Sequence, residues 1–181
     1  VGVSMGNTPE HVATILAIAR IGAVVVALNP SVDGALREGI AKRYRVALLA
    51  REPGKPALPG VPEVVVEHGR LAEAAAGLAV PRLAPGGDLP WRIALSSGTT
   101  GVPKGTVWTH RRTITQLLFL LADDRSSSGR RYLIHLDLNM AFALHATLRF
   151  LLDGATVVLA ADPDPAKIPA LVERHGVGHL R

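Results

Sequence analysis

At 181 residues, 48% apolar and 19% charged, the chain can build one good-sized packed domain or two small ones, which argues against wholesale disorder. It has no cysteine, which removes disulfides and thiolate metal sites. The net charge of +5 is scattered, with short pairs such as Arg111-Arg112 and Arg130-Arg131 but no long basic run, and the seven aromatic residues do not cluster. A small phosphate-bearing partner is therefore favoured over nucleic acid.

Residues 1–5 read as a short strand. Thr8-Pro9-Glu10 then gives an N-cap, a proline at the first helical position and an acid in the first turn, opening a helix that stops near Gly22. AVVVALN, 23–29, is a β-branched run of strand length closed by Asn29-Pro30. The apolar stretch 12–28 does not read as a membrane span, since Arg20 near mid-bilayer would cost about 2.5–3.5 kcal/mol. No signal peptide is evident, so a cytoplasmic chain is expected.

A second helix is expected at 33–43, a strand at 46–50, a Pro/Gly loop at 51–62, a strand at 63–67 and a helix at 70–79. The stretch 81–90 is the best candidate for a subdomain boundary. Strands follow at 92–97, 105–109, 132–136 and 155–160, with helices at 111–122, 140–152 and 164–175. Alternating strands and helices imply an α/β fold, mostly parallel sheets with helices on both faces. Both ends look cut, with Val1 already inside a strand and GVGHLR opening another.

LSSGTTGVPKG, 95–105, carries the chemistry. Gly98, Gly101 and Gly105 free the backbone to approach a ligand, and successive N–H groups can form a nest for an anion. Ser96, Ser97, Thr99 and Thr100 add hydroxyl donors, and Lys104 adds a mobile positive charge. Such a set suits a polyphosphate. It is not the Walker loop, because Pro103 precedes Lys104 and a strand, not a helix, follows.

SSGTTGVPKG resembles the signature of the adenylate-forming superfamily, the AMP-forming acyl-CoA synthetases with luciferases and peptide-synthetase adenylation domains. TVWTH after it, RIGAVVVALNP upstream and LLDGATVVLAADPDPAKIPALVERHGVGHL downstream are similar to family segments in the same order. The resemblance implies that 1–181 is part of an N-terminal ATP-binding domain, without its C-terminal lid domain. It implies that a carboxylic acid attacks ATP to form an acyl-adenylate, which passes to a thiol such as that of coenzyme A, as in fatty acid metabolism. Ser96, Ser97, Gly98, Thr99, Thr100, Gly101 and Lys104 would hold the β- and γ-phosphates, with Thr99 and Lys104 stabilising charge on the leaving pyrophosphate and Mg2+ sharing it. No metal-ligating residue is assigned.

The match departs from the family near α-helix 140–152. Counting back from Gly154 puts Leu136 at the family's proline, Asn139 at its His or aromatic position and Ala141 in the pocket-lining position just beyond. Asn139 is read first as an N-cap for 140–152, with a polar contact in a changed acyl pocket as the alternative. Nothing matches the family's later Tyr-Gly-x-Thr-Glu segment, ribose-binding aspartate, hinge or C-terminal lysine, so the chain alone is expected to be catalytically incomplete. A non-catalytic nucleotide- or phosphate-binding module is the alternative function.

Gly2-Val3-Ser4-Met5-Gly6 matches the nucleophile elbow of α/β-hydrolases and makes Ser4 a remote alternative nucleophile, although its helix waits for Thr8. His175 and His179 have helical i, i+4 spacing, but Gly176 and Gly178 argue against a metal pair. His110 reads as a structural histidine at a strand–helix junction, and Asp162 to Pro165 as a helix entry.

Overall fold

In the computed structural model, which describes residues 1–79, 86–95, 103–123, 128–162 and 164–180, the first unit sets the pattern for the rest. Strand β1 (Gly2–Ser4) leads to helix α1 (Pro9–Arg20), whose start is fixed by the Thr8 side chain accepting from the His11 N–H. The helix ends where Gly22 takes φ +76°, and strand β2 (Val25–Ala27) returns parallel to β1. The run 12–28 is thus helix plus strand, and among the described residues no helix is long and apolar enough to cross a membrane.

Helix α2 (Gly34–Arg43), capped by Asp33 accepting from the Leu36 N–H, crosses back to strand β3 (Leu49–Arg51) on the other side of β1. Strand β4 (Glu63–Val65) and the short helix α3 (Leu71–Ala75) follow. Strands β5 (Pro90–Leu95) and β6 (Gly105–Thr109) complete a six-stranded sheet in the order β4-β3-β1-β2-β5-β6. All neighbours are parallel except β5 and β6, which pair antiparallel. After helix α4 (His110–Asp123), strand β7 (Arg131–Ile134), helix α5 (Ala141–Leu152), strand β8 (Thr156–Leu159), a 3-10 turn, helix α6 (Ile168–His175) and strand β9 (His179–Leu180) form a second, parallel sheet in the order β8-β7-β9.

Strand alternation explains the layers. Val25 packs with Ile15, Ile18 and Ala19 of α1, while its neighbour Val26 packs with Ile40 and Ala41 of α2, so the two helices cover opposite faces of the first sheet. Val12 of α1 joins the second sheet's core with Tyr132 and Ile134, and Leu148 of α5 packs into both cores. Helices α1 and α5 are therefore shared filling between two sheets. Each fully buried aliphatic side chain in these clusters is worth about 1.5–3 kcal/mol.

The expected α/β architecture is present, with shorter strands than their apolar runs suggested. The helix expected at 70–79 spans only Leu71–Ala75. The expected entry of helix 164–175 holds, with Asp164 accepting from the Ala166 N–H. The antiparallel β5–β6 pair was not foreseen in the sequence.

Candidate functional site

Parallel pairing sends the carboxyl ends of β1, β2, β3 and β5 to one edge of the first sheet. The carboxyl ends of β7 and β8 arrive at the same place. Together they enclose a polar cleft of about 160 Å³, lined among others by Gly6, Asn7, Asn29, Lys55, His135 and Asp137. In open α/β sheets this edge is where ligands bind, because the loops leaving it can diverge and open a crevice.

Asparagines lock the two sheets together there. Asn7 Nδ2 donates to the Leu136 carbonyl at 2.9 Å, and its Oδ1 accepts from the Leu138 N–H at 2.9 Å. Asn29 Nδ2 donates to one oxygen of Asp137 at 2.5 Å, and Asp137's other oxygen accepts from the Asn139 N–H and side-chain amide at 2.8 and 2.7 Å. Asn139 also donates to the Met5 carbonyl at 3.0 Å. The N-cap reading of Asn139 is corrected here: the cap position of α5 is Met140, which makes no side-chain cap bond. The Asn139 Nδ2 is held by a tertiary carbonyl and a neighbouring carboxylate, and its Oδ1, the atom a cap would use, has no hydrogen-bond partner among the described residues.

Buried Glu52 braces the β1–α1 turn, accepting from the Gly6 N–H at 3.0 Å and from Thr8 Oγ1 at 3.2 Å. His11 bonds through Nδ1 with the Gly6 carbonyl at 2.8 Å, and burial holds its pKa below the ordinary imidazole range.

Strands β5 and β6 flank the glycine-rich stretch in the sequence. Leu95 lies opposite Gly105, so the connection of residues 96–104 leaves and re-enters at the carboxyl edge beside β2. Ser96, Ser97, Gly98, Thr99, Thr100 and Gly101 lie outside the described residues. Lys104 is exposed immediately before β6, and Tyr44 Oη donates to the Pro103 carbonyl at 3.4 Å. A Cβ on Gly105 would sit 2.5 Å from Ile93 Cγ2 and 2.5 Å from Tyr44 Oη. The last glycine of the motif is therefore required by packing at the hairpin's base.

A second cavity, of about 420 Å³, opens at the start of α5 between β6, α4 and α5. Ala141 lines it, with Trp108, Phe142, His145, Arg149 and Phe150. Asn139 does not, being tied to Met5 and Asp137. The His145 ring lies 4.5 Å from the Trp108 indole, and burial, with Arg92 and Arg112 nearby, pulls its pKa down to about 4, so it is neutral at pH 7. Its Nε2 has no hydrogen-bond partner among the described residues, and a buried polar atom left so costs about 1–3 kcal/mol. Arg92, 1% exposed on β5, donates to the Asn139 carbonyl at 2.8 Å, and burial lowers its pKa to about 10.

A family model described as AMP-binding enzyme matches residues 1–181. The chain belongs to that family. It is 30% identical over 159 residues to 4-chlorobenzoate–CoA ligase from Arthrobacter, covering 83% of this chain and 30% of that protein. It is 30% identical over 188 residues to 4-coumarate–CoA ligase 5 from Oryza sativa subsp. japonica, covering 94% and 35%. Its fold resembles that of O-succinylbenzoate coenzyme A synthetase from Bacillus subtilis in complex with ATP and magnesium ion, with a TM-score of 0.80 at 20% identity over 99% of this chain and 48% of that one. The chain thus spans about a third of the length of these curated relatives and about half of that solved chain.

The other sequence candidates of this AMP-binding family member line neither cavity. Ser4 lies inside β1, fully buried, with its Oγ accepting from Arg37 at 3.0 Å, which is no nucleophile elbow. His175 ends α6, Gly176 turns left-handed at φ +58°, and His179 stacks on Tyr132 from β9, so the two histidines share no helix. His110 stands at the β6–α4 junction, its ring 6.3 Å from Trp91. Tyr44, Asp137 and Asn7 were missed by sequence reasoning. For Asn7 and Asn29 a signal existed: both are amides just past strands of a parallel sheet.

Proposed function

We propose that residues 96–105 hold the β- and γ-phosphates of ATP in an acid-activating ligase. A carboxylate attacks the α-phosphorus, the bond to the bridging oxygen breaks, and pyrophosphate leaves an acyl-adenylate. A thiol, that of coenzyme A or of a carrier, then displaces AMP. The observation that supports this reading is the pairing of Leu95 with Gly105, which sets both ends of the 96–104 connection at the carboxyl edge of the first sheet. Family membership supports it.

In this scheme the hydroxyls of Ser96, Ser97, Thr99 and Thr100 and the N–H groups of Gly98 and Gly101 form a preorganised donor set. Lys104 and Thr99 stabilise the charge growing on the leaving pyrophosphate. Magnesium, which the Bacillus subtilis synthetase structure carries with ATP, supplies further charge neutralisation. Hydroxyls alone hold such an ion weakly, so a carboxylate or water is expected to help. The acyl group occupies the cavity that Ala141 lines, while Asn139 ties the start of that cavity's helix to Met5, just after β1, without touching the acid.

Amide NMR tests the assignment directly. Titration with magnesium-ATP is expected to move the resonances of Gly98, Thr99, Thr100, Gly101 and Lys104 together. Perturbations confined to other loops would contradict it.

A further inference from the structure

Strand β4 ends the six-stranded sheet, at the opposite edge from β6. Its parallel pairing with β3 uses alternate residues. The Leu49 N–H donates to the Pro62 carbonyl at 2.9 Å, and the Val66 N–H donates to the Arg51 carbonyl at 2.8 Å. Even-numbered positions therefore face β3. The N–H and C=O groups of Glu63 and Val65 face away from the sheet, with no backbone partner among the described residues.

The side chains at this edge are as uncovered as its backbone. Val66 is buried in the core with α1, and Leu71 packs against that core. Val64, on the same face as Val66, is 50% exposed, and Val65 on the other face is 42% exposed. Between β4 and α3 lies a mostly apolar cavity of about 390 Å³, whose walls include Val64, Val66, Leu71 and Ala74. Its surroundings are acidic in a chain that carries +5 overall. Glu67 and Glu73 both bond Arg70, at 2.8 and 3.2 Å, and Glu10 of α1 accepts from the Gly69 N–H at 2.8 Å beside His68. Three carboxylates thus gather with one guanidinium.

We propose that the β4 edge takes an extended peptide segment as a further strand, one with alternating apolar residues and with lysine or arginine at its ends. Glu63 and Val65 supply the main-chain hydrogen bonds, and the β4–α3 cavity receives an apolar side chain. The carboxylates select a basic partner. A second copy of the chain fits less well, because two β4 edges meeting about a twofold axis bring the same carboxylates together. The edge is at the far side of the sheet from β5 and β6, so its occupant is independent of the phosphate reading.

Amide NMR with hydrogen exchange on the 181-residue chain tests this with two blocked peptides, acetyl-Lys-Thr-Val-Thr-Val-Thr-Lys-amide and its twin with glutamate at both ends. The basic peptide is expected to bind at least about fivefold tighter at low salt, an advantage that shrinks as salt is raised. It is expected to slow exchange at the Glu63 and Val65 amides and to leave Val26 unchanged. Val65→Pro removes an outward-facing donor while keeping the bonds to β3, and is expected to weaken the basic peptide at least about fivefold with Val26 exchange as in the wild type. Glu73→Lys, at a side chain 72% exposed, is expected to weaken it at least about threefold and keeps the test decisive should the proline disturb the strand. Equal binding of the two peptides, no binding of either, protection confined to other amides, or a Glu73→Lys chain that binds like the wild type would each overturn the proposal. Slowed exchange at Glu63 and Val65 on concentrating the chain without peptide would give the edge to a second copy and overturn it as well.

Discussion

Gly105 shows how one residue can carry two readings. In the sequence it is the third glycine of a phosphate-binding run. In the fold its missing Cβ leaves room for Tyr44 and Ile93 at the base of the hairpin. Gly105→Ala is expected to destabilise the chain by about 1–3 kcal/mol through overpacking, measured by denaturant unfolding. Trimming Tyr44 to Ala in the same chain is expected to make the two costs less than additive. Strict additivity would show that the two residues do not press on each other. Tyr44 lies 61 residues from Gly105, so no local pattern could have revealed the contact.

His145 supplies the second prediction at this scale. Its folded pKa of about 4 lies below the unfolded value, so the unfolded chain binds the proton more readily. Stability is therefore whole above about pH 6.5 and is lost as pH falls towards 4, by about 1–2 kcal/mol between pH 7 and 5 for this group. His11, lowered by burial, acts in the same direction. His145→Leu is expected to flatten part of that slope, since it removes the titrating imidazole. An unchanged slope in the variant would remove His145 as its source.

At the scale of elements, the joint between β1–α1 and β7–α5 rests on the Asn7 amide, which bonds both the Leu136 carbonyl and the Leu138 N–H. Asn7→Ala would leave both without that partner, and a loss of about 1–3 kcal/mol is expected. Hydrogen exchange at the Leu138 amide is expected to quicken more than that at Val26 in the first sheet. Uniform quickening of both would mean the clamp is not local.

Most elements were legible because periodicity and caps are local. Thr8-Pro9, Asp33 and Gly22 mark helix ends by their own chemistry, and the structure keeps them. Asn139 failed for the opposite reason. An asparagine before a helix satisfies the cap rule, but the Met5 carbonyl, 134 residues away, and Asp137 fix its Nδ2, while its Oδ1 finds no partner among the described residues. The direction of β6 was left unassigned, because nine residues between β5 and β6 exceed the short loops from which hairpins are read.

Across the whole molecule, two sheets share α1 and α5 and direct their carboxyl ends at one region. Of the site foretold in the sequence, the fold brings the two ends of the 96–104 connection and Ala141 to that arrangement, while Asn139 becomes part of the joint. The proposed phosphate donors are legible as a run of glycines, hydroxyls and a lysine that suits an anion. What surrounds them depends on long-range packing and was not.

The central claim is that this connection grips the phosphate tail of ATP. It is tested most directly by calorimetric titration of pyrophosphate into the wild-type chain and Lys104→Ala, at constant low salt. The account predicts a saturable heat for the wild type and at least a tenfold weaker affinity for the variant. Equal affinities in the two chains, or no saturable heat in either, would contradict it.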